Sequence, residues 1–246
     1  MMYQEINSRT VDRWCREDWE WGQPISHETY LDALRGRWDV YLTPVRPVPH
    51  EWFGELRGRK ILGLASGGGQ QMPIFSALGG RCTMLDYSGE QCARERMVAE
   101  REGYPIEIIQ ADMTKPLPFA DGVFDLIFHP VSNCYVEEVR PIFRECFRVL
   151  KEGGVLLCGL DTGINYVFGE DEEEIIYTLP FNKRMYDDSI KNDWGIQFSH
   201  TLEEQIGGQL EAGFRLAALY EDTSGSGNLH DHNIPSFLAT RAVKSL

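Results

Sequence analysis

Basic residues are scarce in this chain: 24 Lys and Arg stand against 38 Asp and Glu, and no Lys/Arg run occurs along it. A protein that tracks phosphates needs such a patch to displace counterions. The net charge of −14 therefore argues against nucleic acid and against an anionic membrane as partners, and reads as a source of solubility. Long apolar runs are missing too, and none approaches the roughly 18–20 residues of a membrane-spanning helix. The first ten residues carry no apolar stretch like that of a secretory leader, so the expectation is a cytoplasmic protein. The six cysteines, Cys15, Cys82, Cys92, Cys134, Cys146 and Cys158, form no C-x-x-C pair. They read as small buried hydrophobes. His230-Asp231-His232 lacks nearby Cys or Glu ligands and is read as loop chemistry, so no metal site is expected.

What is present is a chain of 246 residues, 42% hydrophobic, enough to bury a full core. Three stretches differ in character. Residues 1–58 hold five of the six tryptophans and a cluster of prolines, Pro44, Pro47 and Pro49. Helices are expected near 8–20 and 27–35, with another starting at Pro49-His50-Glu51-Trp52. This stretch is read as an aromatic-rich cap, either packed on the main domain or walling a pocket. Residues 59–246 form the main domain. Within it, apolar strands at 60–65, 81–86, 106–110, 124–129 and 155–160 alternate with helices at 70–78, 89–101 and 139–150. Gly103 caps the second of these helices, and Gly153-Gly154 closes the third. Such alternation predicts a parallel sheet covered on both faces. An acidic, aromatic-containing insertion follows at 162–200, with the run 170–174 read as a solvated face. A helix at 201–212 opens on the capping box Thr201-Leu202-Glu203-Glu204. Two strands, 214–221 and 235–243, flank a Gly/Ser/Asn loop and predict an antiparallel hairpin at one edge.

The strongest signal is Gly63-Leu64-Ala65-Ser66-Gly67-Gly68-Gly69, between the first strand and the first helix. Glycine there lets the backbone approach a ligand and frees amides beside a helix N-terminus. Asp86 ends the next strand, 19 residues after Gly67, where an acid accepts from ribose hydroxyls. A nucleoside triphosphate loop needs Lys-Ser/Thr after its last glycine, and Gln70-Gln71 stand there instead. A dinucleotide fingerprint beginning at Gly67 needs glycine at 72, which is Met72.

The order of motifs over about residues 55–243 resembles the class I S-adenosylmethionine-dependent methyltransferases. Gly67 and Gly69 match the later glycines of that family's D/E-x-G-x-G-x-G turn, Asp86 its ribose acid, and Asp112-Met113 its adenine-flanking position. Pro116-Leu117-Pro118-Phe119, Phe124-Asp125-Leu126-Ile127 and Arg148-Val149-Leu150-Lys151-Glu152-Gly153-Gly154 add to the likeness. Two residues depart from it: Gly63 stands where the family carries an acid that helps hold the methionine portion, and Ala65 replaces its first glycine. The resemblance implies a Rossmann-like, seven-stranded, mostly parallel sheet with a C-terminal antiparallel hairpin, helices on both faces and an N-terminal helical cap. It implies S-adenosyl-L-methionine as cofactor. Its contacts would be Ala65, Ser66, Gly67, Gly69 and Gln70 in the turn, Asp86 and Tyr87, Asp112 and Met113, and His129.

The loop after the fourth strand, His129-Pro130-Val131-Ser132-Asn133-Cys134-Tyr135, lies on the edge where open α/β sheets hold substrates. Asn133 and Tyr135 are the candidates for substrate contact, and His129, Asn133 and Tyr135 are expected to share a cavity with the glycine turn. Methyl transfer can proceed by positioning and desolvation, so no catalytic base is assigned. The acceptor is expected to be a small molecule, and the oligomeric state is open. Two other readings remain: a nicotinamide-dependent oxidoreductase, and a non-catalytic S-adenosylmethionine-binding protein.

Overall fold

A computed structural model of the chain describes residues 2–169, 172–185 and 195–245. Seven strands form one sheet: β1 (Lys60–Leu64), β2 (Arg81–Asp86), β3 (Glu107–Gln110), β4 (Phe124–His129), β5 (Leu150–Asp161), β6 (Phe214–Asp222) and β7 (Phe237–Lys244). Their order is β3-β2-β1-β4-β5-β7-β6. The first five are parallel, and β7 runs antiparallel to both β5 and β6. The Rossmann-like sheet with its C-terminal hairpin is therefore as expected. The chain order reverses between β1 and β4, opening a crevice at their C-terminal ends, where α/β sheets bind ligands.

The strands read as continuous apolar runs because both faces are covered. Ile61 projects into a core with Phe75, Met84, Phe128 and Leu157. Leu62 and Leu64, one residue out of phase, project into the opposite core with Leu85, Ile127 and Phe143. The helices are α1 (Tyr3–Arg16), α2 (His27–Leu34), α3 (Gln71–Ala77), α4 (Gly89–Glu102), α5 (Arg140–Val149), α6 (Gly208–Glu211) and α7 (Gly227–Asp231). Ser88 Oγ caps α4 by accepting from the Gln91 amide at 3.1 Å, and Gly103 ends it at φ 74°. No helix among the described residues is long and apolar enough to cross a membrane.

Arg148 explains part of the motif that carries it. Its guanidinium donates to the carbonyls of Leu117 and Phe119 and pairs with Glu145 and Asp121, pinning the turn before β4. Four local expectations need correction. Gly153 and Gly154 do not close a helix; they lie inside β5, where the register slips between Leu150 opposite Phe124 and Val155 opposite Leu126. The capping box forms, with Thr201 N donating to Glu204 Oε2 at 2.9 Å and Glu204 N to Thr201 Oγ1 at 3.1 Å. The helix it starts, however, opens as a wide π-turn over Glu203–Gly207 before α6. The loop between β6 and β7 carries α7, and His50–Trp52 is a single 3-10 turn.

Candidate active site

The glycine turn is built for a sharp reversal under α4. Ala65 sits at φ 46°, Gly67 at 71° and Gly69 at 75°, in the left-handed region that costs a residue with a Cβ about 1–2 kcal/mol. A Cβ on Gly68 would overlap the Gln91 carbonyl of α4, so glycine is required there by contact. Gly68 N donates to Gln91 Oε1 at 2.8 Å, and Gly69 N to Glu95 Oε2 at 2.6 Å. Tyr104 Oη donates to the other Glu95 oxygen at 2.8 Å. Burial pushes Glu95 up to about 7, against these hydrogen bonds. This corrects the expectation of free amides: α4 takes two of them, and a pyrophosphate would find neither.

Gly63 has a steric reason. A Cβ at that position would run into Ser66 Oγ and the Met72 thioether, so the volume of the family's acid is already filled. Ser66 Oγ is buried in the cavity wall without a partner among the described residues, as is Gln71 Oε1.

Asp86 closes β2 with its carboxylate at the same cavity and accepts from Ser88 N at 2.9 Å. Burial raises it to about 6; amides of Ser88, Gly67 and Tyr87 work against the shift, and the charge of Asp12 adds to it. Asp12 belongs to α1, and its Oδ1 accepts from Ser88 Oγ at 2.6 Å and Glu90 N at 3.1 Å. Past β3, Asp112 Oδ1 accepts from Thr114 N at 2.8 Å and Thr114 Oγ1 at 2.7 Å.

These groups surround a cavity of about 1510 Å³. Nine of the twelve residues singled out from the sequence line it: Ala65, Ser66, Gly67, Gln70, Asp86, Tyr87, Asp112, Met113 and Tyr135. Gly69, His129 and Asn133 do not. Gly69 lies behind the turn, where its carbonyl accepts from Ile25 N at 2.8 Å. His129 is wholly buried, with Nδ1 2.8 Å from the Leu64 carbonyl and Nε2 2.9 Å from Asn133 Oδ1. Burial lowers its pKa, so the ring is neutral. With Nδ1–H donating to Leu64, Nε2 has to accept, which calls for the Asn133 amide turned with Nδ2 toward it. The pair fastens β4 to β1 and sets the loop that displays Tyr135. The expectation that His129 and Asn133 open onto the cavity is thereby corrected.

The remaining walls come from two segments the sequence only outlined. Trp19, Trp21 and Tyr41–Pro44 line the cavity from the N-terminal side, and the Gln70 amide and Arg94 guanidinium hold that stretch through carbonyls of Trp21, Cys15 and Gly22. Trp38 and Trp52 pack away from it, on Phe53 and Tyr220. Asn7 of α1 joins three walls. Its Nδ2 donates to the carbonyls of Tyr135 at 3.0 Å and Ile196 at 2.9 Å, and its Oδ1 accepts from Ile196 N at 2.6 Å. Beyond β5 the wall is aromatic, with Tyr166 stacked on Phe181 at 5.2 Å and Tyr177 edge-on to Phe181. Asp161, absent from the sequence-based candidates, lines this end; an acid closing an otherwise apolar strand on the ligand edge was its signal. Glu170 and Asp171 of the acidic run lie outside the described residues, whereas Glu172 lines the cavity. His230 Nδ1 lies 2.7 Å from Thr223 Oγ1, and His232 Nδ1 2.9 Å from the Asn228 carbonyl.

The residues present fit S-adenosylmethionine. Asp86 offers a carboxylate for a ribose, and Ser66 and Gln71 offer unpartnered polar atoms for the amino-acid portion. Among the described residues the lining carries five carboxylates (Glu20, Asp86, Asp112, Asp161 and Glu172) against one cationic side chain, Lys183, which suits a sulfonium.

Comparison with known proteins agrees. Residues 62–158 match a family described as a methyltransferase domain. A Bacillus subtilis (strain 168) protein named uncharacterized methyltransferase YbaJ is 36% identical over 249 residues, covering 97% of each chain. The crystal structure of an S-adenosylmethionine dependent methyltransferase from Mesorhizobium loti superposes with a TM-score of 0.63 at 20% identity, over 78% of this chain and 94% of that one. The [4+2]-cyclase SpnF also shares the fold, with a TM-score of 0.53 at 17% identity over 77% of this chain and 76% of that one. Fold likeness alone therefore does not name a reaction; the full-length relative does. The chain belongs to the class I S-adenosylmethionine-dependent methyltransferases.

Proposed function

We propose that this methyltransferase acts on a small molecule held in the same cavity as the cofactor. The observation that carries the reading is the size of that cavity. At about 1510 Å³ it exceeds the roughly 300–1,000 Å³ of a single ligand pocket. It runs from Asp86 to Asp161, walled by Trp19, Trp21 and Tyr41–Pro44 on one side and, among the described residues after β5, by Tyr166, Tyr177 and Phe181 on the other. In this arrangement Asp86 holds the ribose, Asp112 and Met113 border the adenine, and Ser66 and Gln70-Gln71 face the methionine portion. Tyr87 flanks the ribose, and Tyr135 stands between the cofactor and acceptor ends. Bound S-adenosylmethionine supplies a methyl group already activated on a sulfonium. The chain's own residues orient the acceptor and exclude water. The N-terminal residues and the described residues after β5 act as a two-sided cover, stitched by Asn7. The net charge of −14 and the acidic lining disfavour a nucleic-acid acceptor.

The test is methyl transfer from radiolabelled S-adenosylmethionine into a fractionated cell extract. Label in the low-molecular-mass fraction is the expected result. Label confined to the protein or nucleic-acid fraction would overturn the small-molecule reading.

A further inference from the structure

The far end of the cavity contains a buried acid without a counter-charge. Asp161, the last residue of β5, is 1% exposed. Its Oδ1 accepts from Gly163 N at 3.0 Å, and its Oδ2 has no partner among the described residues. Its own carbonyl is engaged by Gln205 Nε2 at 2.7 Å, which fixes the strand end, and the bond from Gly163 N orients the carboxylate. A second acceptor in the same lining, Asn165 Oδ1, is also buried and has no partner among the described residues. Buried acceptors left without a donor lose their hydration and gain nothing in return. They call for a ligand that donates hydrogen bonds.

Charge and ring chemistry narrow the class. The groups facing Asp161 are Cys134 from the loop after β4 and Tyr166 from the segment after β5, and Tyr135 lies beside both of them. Burial pushes that thiol and both phenols up, so they stay neutral. Among the described residues Lys183 is the one cation in the cavity lining, and it makes no hydrogen bond to Asp161 Oδ2. An anionic acceptor would meet Asp161 in a lining that also holds Glu20, Asp86, Asp112 and Glu172. A cationic one gains from the carboxylate and from the faces of the neighbouring tyrosine and phenylalanine rings.

We infer that Asp161 anchors the amino group of the methyl acceptor, which is therefore a small amine whose apolar body lies along the Tyr166–Phe181 stack. This rests on the small-molecule reading above. Burial raises Asp161 to about 7, against hydrogen bonds from the Gly163 amide and its own, so at pH 6 it is mostly protonated in the free protein. A bound ammonium returns it to the ionised form, and the proton leaves to solvent.

The experiment is calorimetry of 2-phenylethylamine against its neutral counterpart 2-phenylethanol, on protein saturated with S-adenosylhomocysteine. Runs at pH 6 and pH 8.5, in buffers of differing ionisation enthalpy, count the protons exchanged. The amine is expected to bind more tightly than the alcohol, with release of close to one proton at pH 6 and almost none at pH 8.5. In Asp161→Asn, amine affinity should fall about ten- to a hundredfold, proton release should vanish, and S-adenosylhomocysteine affinity should hold. An alcohol that binds as tightly as the amine, or amine binding without proton release at pH 6, would overturn the assignment. Both readings come from the unaltered protein, so a misfolded variant does not rescue it. Failure of S-adenosylhomocysteine itself to bind would count against the functional reading instead. The same amine and alcohol titrations on the free protein would then decide the role of Asp161.

Discussion

Replacing Asp86 with alanine should weaken S-adenosylhomocysteine binding by ten- to a hundredfold. The carboxylate ends β2, is oriented by Ser88 N at 2.9 Å and faces the cavity. Hydrogen bonds to an ionised acceptor contribute on the order of 1.5–3 kcal/mol, and 1.4 kcal/mol is about one decade in affinity. Asp86→Asn keeps one acceptor oxygen and should lose less, about tenfold or under. Titration adds a second signature. Burial raises Asp86 to about 6 in the free protein, and the form that accepts two ribose hydroxyls is the ionised one. Wild-type affinity should therefore be level above pH 7 and decline as pH falls through 6, by at most about tenfold at pH 5. Asp86→Asn should be flat over that range. The free protein moves in the opposite sense: an acid with a raised folded pKa gains stability as pH falls through about 6. A weakened complex at pH 5 is then not a sign of unfolding. Calorimetry at pH 7.5 and 5 on wild type and both variants measures all of this. Unchanged affinity in Asp86→Ala, or a wild-type profile that does not bend, would refute the reasoning.

Three further outcomes follow. Gly68→Ala should lower the melting temperature by several degrees and abolish cofactor binding, because its methyl would overlap the Gln91 carbonyl; an unshifted melt contradicts this. Asn7→Leu should weaken S-adenosylhomocysteine binding several-fold with little change in thermal unfolding of the sheet, since Asn7 bonds to Tyr135 and Ile196 at the cavity rim; equal affinity would show that the stitch is idle. Asp161→Asn should raise the melting temperature of the free protein at pH 8, where the wild type buries an ionised acid, and the gain should disappear below pH 6 as Asp161, at about 7, takes up its proton; a gain independent of pH would mean that Asp161 is not the titrating group.

The sheet was legible because its central strands are buried on both faces and so carry short unbroken apolar runs, as at Leu126, Ile127 and Phe128 of β4 and Met84 and Leu85 of β2. Asp86 was legible by place, as an acid ending the second strand. His129 was not. It also ends a strand, but which side a terminal residue faces depends on register, and here the imidazole turns to the Leu64 carbonyl. The partners of the glycine amides, Gln91 and Glu95, were hidden in a charged helix whose inward face cannot be chosen from weak amphipathicity. The π-turn at Glu203–Gly207 adds a residue to a helical turn that a 3.6-residue period cannot register. The first 58 residues resisted division into cap and core because they supply both. Trp19 and Trp21 line the cavity, whereas Val40, Leu42, Val48 and Trp52 belong to the main core.

The most direct test of the central claim is a crystal structure grown with S-adenosylhomocysteine, with NAD as the competing soak. The account requires S-adenosylhomocysteine density with its ribose hydroxyls on Asp86, its adenine between Asp112 and Met113, and its amino-acid end toward Ser66 and Gln71. NAD density in that place, or S-adenosylhomocysteine bound away from Asp86, would contradict it.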